Sequence, residues 1–195
     1  RYSKACGGVS ESFENVWEER RIPYLSPVSD AETKHAPLTS GMAAERWILS
    51  SPEAYCNTND RKILKQVLPS FDQETTDFFR WKVQYKANEL GELIKEKSGV
   101  DFGSIKELTP LERGFPEAMT VGKELEIRRW LSKSHLYSSA FVVKKEEDAF
   151  ALHGAGWGHG VGFCQIGAAV MATKGFKAEE IVKHYFRGAE LKKLY

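Results

Sequence analysis

The stretch GAGWGHGVGFCQIGAA, residues 154–169, gathers six of the chain's 16 glycines around Trp157, His159, Cys164 and Gln165. Glycine is favoured where the backbone must take positive φ or where another group comes close. Gly156, Gly158, Gly160 and Gly162 recur at alternate positions. In an extended segment this would leave one face bare, while the other presents Trp157, His159, Val161 and Phe163. The residues before the stretch read as a strand. Those after it, QIGAAVMATKG, are small and apolar at helical spacing and end at Gly175.

A strand, a glycine-rich turn and a helix can cradle phosphate through backbone amides and the helix dipole. Here the Lys-Ser or Lys-Thr of a P-loop is missing. No βαβ unit with a ribose-binding acid flanks the stretch either, so nucleotide binding is set aside.

Working outward, KAEEIVKHYF begins a second amphipathic helix with Ile181, Val182 and Tyr185 on its apolar side. AAERWILSS is a short helix that Pro52 stops, and DRKILKQVLPS carries apolar residues at 63, 64, 67 and 68, one helical face. DFFRWKVQY is rich in β-prone residues and predicts a strand. KANELGELIKEKSG predicts a helix ended by Gly99. Residues 103–112, 117–131 and 138–153 read as three strand regions, with GKELEIRRWLSK open to a helical turn or two. Residues 1–9 read as a strand end and a Gly-Gly turn, followed by a loop-rich segment broken by Pro23 and Pro27. These elements predict one α+β domain over residues 1–195, mainly antiparallel strands with several short helices.

At 195 residues, 42% hydrophobic and 28% charged, the chain has enough apolar surface for a core, and no low-complexity tract argues for disorder. A net charge of +1 with both signs interspersed gives no reason to expect a nucleic acid or an anionic membrane as partner. No apolar run is long enough to span a bilayer, which takes about 20 residues. The chain starts at RYSKACGG without an initiating Met, and something upstream is expected to have been removed. Cys6, Cys56 and Cys164 form no CxxC pair. In an oxidising compartment Cys6 and Cys56 can pair and leave Cys164 beside the glycine stretch; in a reducing one all three are buried thiols.

GAGWGHGVGFCQIGAAVMATKGFKAEEIVKHYF resembles the C-terminal signature of the SpoIID/LytB family, named for stage II sporulation protein D and a modifier of a cell-wall amidase. YSKACGGVSESFENVWEERRIPYLSPVSD resembles that family's Gly-Gly, Val-Trp and Pro-Tyr-Leu pattern, and SSAFVV its strand leading into the glycine motif. The resemblance implies an exported cell-envelope protein acting on peptidoglycan glycan strands, with a cell-wall hydrolase as a further partner. It implies the chemistry of lytic transglycosylases, which cut between N-acetylmuramic acid and N-acetylglucosamine and leave a 1,6-anhydro end. The alternative within the same resemblance is a non-catalytic wall module that modulates a hydrolase.

Such a cleavage needs a carboxylic acid to protonate the glycosidic oxygen. The resulting carboxylate then assists attack by the sugar's own 6-hydroxyl, so one Glu suffices. The family's catalytic Glu lies upstream of the Gly-Gly turn in a segment with no match here, so the domain is expected to lack its N-terminal catalytic segment. The acid is left unassigned. Glu11 and Glu14, close in sequence to the Gly-Gly turn, are weak candidates, since each reads first as a surface carboxylate. Matching the motif position by position implies a groove wall built from Trp157, Gly158, His159, Gly160 and Gln165. Trp157 would stack on a sugar ring, and His159 and Gln165 would bond its hydroxyls or orient the acid. The competing reading is that His159 and Gln165 satisfy backbone groups at a tight turn. His153 is a further candidate to face that groove. Some family members hold zinc through a His and cysteines near the Gly-Gly turn, but Ser3 stands where that His would be. Zinc on Cys6 and Cys56 is therefore subordinate to a Cys6–Cys56 disulfide, and no cofactor is expected.

Overall fold

The computed structural model describes residues 2–8, 10, 13, 22–25, 28, 30, 41–68, 78–106, 124–133 and 136–193. Its elements run β1 (Tyr2–Ser3), α1 (Gly41–Leu49), α2 (Arg61–Val67), β2 (Arg80–Lys86), α3 (Ala87–Ser98), α4 (Glu124–Trp130), β3 (Phe141–Glu146), β4 (Ala149–Ala155), β5 (Phe163–Cys164), α5 (Gln165–Thr173) and α6 (Ala178–Tyr185). Mixed α and β with an antiparallel sheet agrees with the sequence reading.

The sheet has the order β2-β4-β3, antiparallel throughout. Register places Trp81 opposite Gly154, Val83 opposite Leu152 and Tyr85 opposite Phe150. Because side chains alternate across a strand, this set shares one face. It packs on Leu90 of α3 and on Leu131 and Leu136, forming one of the apolar clusters. The opposite face carries Ala149 and Ala151, both buried although small. Their size lets α1 lie close, held by an ion pair from Glu45 to Lys144.

The larger cluster joins Leu64 of α2, Phe78 and Phe79, Ile166, Ala168 and Met171 of α5, and Ile181 and Tyr185 of α6. Local signals set the helix ends. Asp60 accepts the Lys62 amide at 2.8 Å, an N-cap, and Gly99 closes α3 in the left-handed region at φ 75°. Glu180 accepts the Lys177 amide at 2.7 Å and starts α6.

Three expectations change. Within the region 117–131 read as strand, residues 124–130 form α4. The region 138–153 is a two-stranded hairpin, β3 and β4, that turns at Glu147 and Asp148. Part of the β structure is parallel, since β1 pairs with β5 in that sense. Of the region 103–112, residues 103–106 carry no strand, and the remainder lies outside the described residues. No helix among the described residues is long and apolar enough to cross a membrane.

Candidate functional site in the glycine-rich turn

The glycine stretch is built against the Gly-Gly turn from the other end of the chain. Ala5 and Trp157 form an antiparallel bridge: the Trp157 amide donates to the Ala5 carbonyl at 2.8 Å, and the Lys4 amide donates to the Trp157 carbonyl at 3.1 Å. The Gly156 amide donates to Phe79 O at 3.1 Å and the Gly158 amide to Tyr137 O at 2.8 Å. Three separated segments are thereby fixed around one loop.

The loop is not extended. Gly156, Gly158, Gly160 and Gly162 all have positive φ, at 78°, 106°, 72° and 74°. The expected strand with one bare face is corrected to a sequence of left-handed turns. At Gly160 nothing lies within 4 Å of where a Cβ would stand, so φ alone calls for glycine there. Gly156 and Gly154 are held by close approach instead. A Cβ on Gly156 would meet the Ala5 carbonyl oxygen at 2.8 Å, and one on Gly154 would fall 2.0 Å from the Trp81 ring. The Trp81 indole N–H in turn donates to Gly156 O at 3.1 Å.

Trp157 is half-buried, with Tyr137 and Phe78 ring centroids 4.6 and 4.9 Å away and the Lys4 ammonium 5.4 Å from its own. It is therefore a packing residue of the turn as well as part of its surface. His159 accepts the Val161 amide at 3.0 Å through Nδ1, so the neutral ring carries its proton on Nε2 and presents a donor there. This bond is the turn-satisfying role expected of His159. Gln165 opens α5 and is partly exposed. The structure thus brings Trp157, Gly158, His159 and Gly160 into one loop, with Gln165 on the helix that follows. Glu11 and Glu14 lie outside the described residues. His153 stands opposite Lys82 and Val142 on the sheet face that also carries Lys144 and Glu146. Burial and the Lys82 charge lower its pKa.

Arg80 braces the same region. Its guanidinium donates to Gly7 O at 2.8 Å, Trp47 O at 2.9 Å and Ser50 O at 3.0 Å, tying the Gly-Gly turn to the C-terminal end of α1. Burial lowers its pKa to about 10, so it stays charged and favours that negative helix end.

Behind the loop lies a group that sequence reasoning did not assemble. Cys6, Asp30, Cys56 and Cys164 are all buried, and their donor atoms lie within 4.8 Å of one another. Cys6 and Cys56 are free thiols with their sulfurs 3.8 Å apart. The Cys164 sulfur accepts the Cys6 amide at 3.3 Å. Burial opposes its ionisation, but hydrogen bonds from the Cys56 and Cys6 thiols and from the Gly167 and Cys6 amides outweigh this and hold it well below the usual thiol range. Burial raises Cys6 and Cys56 instead. Asp30 accepts the Cys56 amide at 2.8 Å and the Tyr185 hydroxyl. Burial, with the Cys164 charge beside it, pushes its carboxyl up to about 8. Asp30 carried no signal in its segment SPVSD; the expected pairing of Cys6 with Cys56 pointed to half of the group.

Residues 11–162 match a family described as a domain of unknown function (DUF8618). Stage II sporulation protein D of Bacillus subtilis (strain 168) is 32% identical over 142 residues, 71% of this chain and 40% of that protein. Its counterpart from Bacillus amyloliquefaciens is 33% identical over 103 residues, 50% of this chain and 30% of that protein. The Amidase enhancer of Bacillus subtilis (strain 168) is 33% identical over 216 residues, 97% of this chain and 29% of that protein. The chain spans less than half the length of each of these relatives. By these matches the chain belongs to the DUF8618 family and is a SpoIID-like protein.

Proposed function

We propose that this chain is an exported cell-envelope protein that acts on peptidoglycan, gripping the glycan strand along the turn from Trp157 to Gln165. The observation that carries the reading is His159. Its Nδ1 accepts the Val161 amide, which fixes the ring in the turn beside Trp157 and Gly158, and an imidazole so placed can hydrogen-bond a sugar hydroxyl. Half-buried Trp157 next to it supplies apolar surface of the kind that packs on a sugar ring. The reaction is transglycosylation: protonation of the bridging oxygen by a carboxylic acid, then capture of the anomeric carbon by the 6-hydroxyl. No described residue is assigned as that acid.

A second reading, a non-catalytic wall module that modulates a hydrolase, is favoured by one specific observation. The relative matched over 97% of this chain is named an amidase enhancer. Incubating the chain with purified peptidoglycan, intact and stripped of stem peptides, separates the two. Products with 1,6-anhydro ends by mass spectrometry support cleavage. Retention on the glycan without such products supports the module, and neither retention nor products would overturn both.

A further inference from the structure

The geometry points to a second sugar platform, Tyr137, which lengthens the glycan site beyond Trp157 so that a strand is held over more than one sugar. This rests on the glycan reading of the turn proposed above and names the residue that extends it.

Aromatic rings form a row leading away from the glycine loop. Ring centroids lie 4.9 Å apart from Phe78 to Trp157, 4.6 Å from Trp157 to Tyr137, 5.5 Å from Tyr137 to Trp81 and 6.2 Å from Trp81 to Phe141. Phe78 and Trp81 are buried, whereas Trp157, Tyr137 and Phe141 are half-buried. The row is therefore a shelf, with buried rings as its footing and half-buried rings that water still reaches. Gly154 makes the footing possible, because a Cβ there would stand in the space that the Trp81 ring occupies.

The shelf is set before any ligand arrives. The Gly158 amide donates to Tyr137 O at 2.8 Å, which fixes the Tyr137 backbone beside the glycine loop, and the Trp81 indole donates to Gly156 O at 3.1 Å. A rigid ring already held by its neighbours loses little freedom when a ligand covers it. The Trp157 and Tyr137 planes are inclined at 46°, so they are adjoining facets rather than one flat surface. Consecutive sugars of a β-linked strand are turned relative to one another about the strand axis, and two inclined facets suit such a pair better than one plane.

Tyr137 also has a polar end. Its hydroxyl has no hydrogen-bond partner among the described residues and is not enclosed, so it reaches solvent. The tyrosines that serve packing bond inward instead: Tyr185 donates to Asp30, and Tyr85 donates to Leu131 O at 2.7 Å. An apolar ring face with a hydroxyl at its tip matches an amino sugar, whose C–H face packs on the ring while its hydroxyls and acetamido carbonyl meet the phenol.

The test measures binding of disaccharide, tetrasaccharide and hexasaccharide fragments of stem-peptide-free glycan to the full chain by titration calorimetry. Wild-type affinity is expected to rise from the disaccharide to the hexasaccharide. Folded Tyr137→Leu is expected to bind the hexasaccharide about tenfold more weakly and to lose most of that rise. A readout on the wild type alone covers a variant that fails to fold: nitration of Tyr137 by tetranitromethane, followed by peptide mapping, should slow when the hexasaccharide is bound. Hexasaccharide binding without slowing at Tyr137, or a folded Tyr137→Leu that keeps the full rise, overturns the platform and leaves the reading of the turn intact. Wild type that binds no fragment overturns both.

Discussion

Gly154 and Gly167 fix packing that no other residue allows. A Cβ at Gly154 would enter the Trp81 ring, and one at Gly167 would stand 2.3 Å from both an Asp30 oxygen and the Tyr185 hydroxyl. Gly154→Ala and Gly167→Ala are each expected to lower stability by about 1–3 kcal/mol, the usual cost of overpacking, measured by denaturant unfolding. Losses within a few tenths of a kcal/mol at both would contradict the packing described. The glycine count was legible in the sequence; its meaning was only partly so. Periodicity suggested one extended, bare-faced segment. In the structure Gly154 makes room for an indole from β2, Gly156 for the Ala5 carbonyl, and Gly160 serves left-handed backbone. The first two reasons sit on segments distant in sequence, beyond the reach of local pattern.

At the scale of elements, the β3–β4 hairpin shows a cost that its sequence carries. Its turn places Glu147 at φ 50°, in the left-handed region that disfavours a side chain. Glu147→Gly is expected to raise stability by about 0.5–1 kcal/mol, read as an upward shift in melting temperature; a lower melting temperature would argue against that backbone. On β4, His153 is held below its ordinary value of 6.5 by burial and by Lys82. A neutral imidazole is then favoured in the fold, so its contribution is complete above that value and is lost as pH falls through it. Compared with His153→Gln, wild type should lose stability as pH falls below about 6.5; parallel pH curves for the two proteins would refute this. The helices α1, α2, α3, α5 and α6 were readable because apolar spacing and caps are local signals. The helix at 124–130 falls in a region read as strand with a helical turn or two left open, because ELEIRRW offers too few apolar positions to separate helical from strand periodicity. What selects helix there is tertiary: α4 packs on α3, and Arg128 donates to Leu136 O at 2.6 Å.

At the scale of the molecule, the N-terminal segment meets the glycine-rich stretch. The bridge from Ala5 to Trp157 and the parallel pairing of β1 with β5 bring the Gly-Gly turn beside the glycine-rich loop. The same closure carries Cys6 to Cys164, and the loop holding Asp30 brings it against Cys56 and Tyr185. The loop residues of the candidate site were legible because Trp157, His159 and Gln165 share one short motif. Of the buried group Cys6, Asp30, Cys56 and Cys164 only the Cys6–Cys56 pair was legible, because its members are scattered over the chain and the topology gathers them. The central claim is that the turn holds glycan through His159. His159→Asn can keep an acceptor for the Val161 amide while removing the rest of the ring, and an unchanged melting temperature separates recognition from folding. The most direct measurement is co-sedimentation of wild type and this variant with purified glycan strands stripped of stem peptides. The account predicts that wild type sediments with the glycan and that the variant, at an unchanged melting temperature, binds about tenfold more weakly, a difference of about 1.4 kcal/mol. Wild type left in the supernatant, or a variant that binds as tightly, would contradict it.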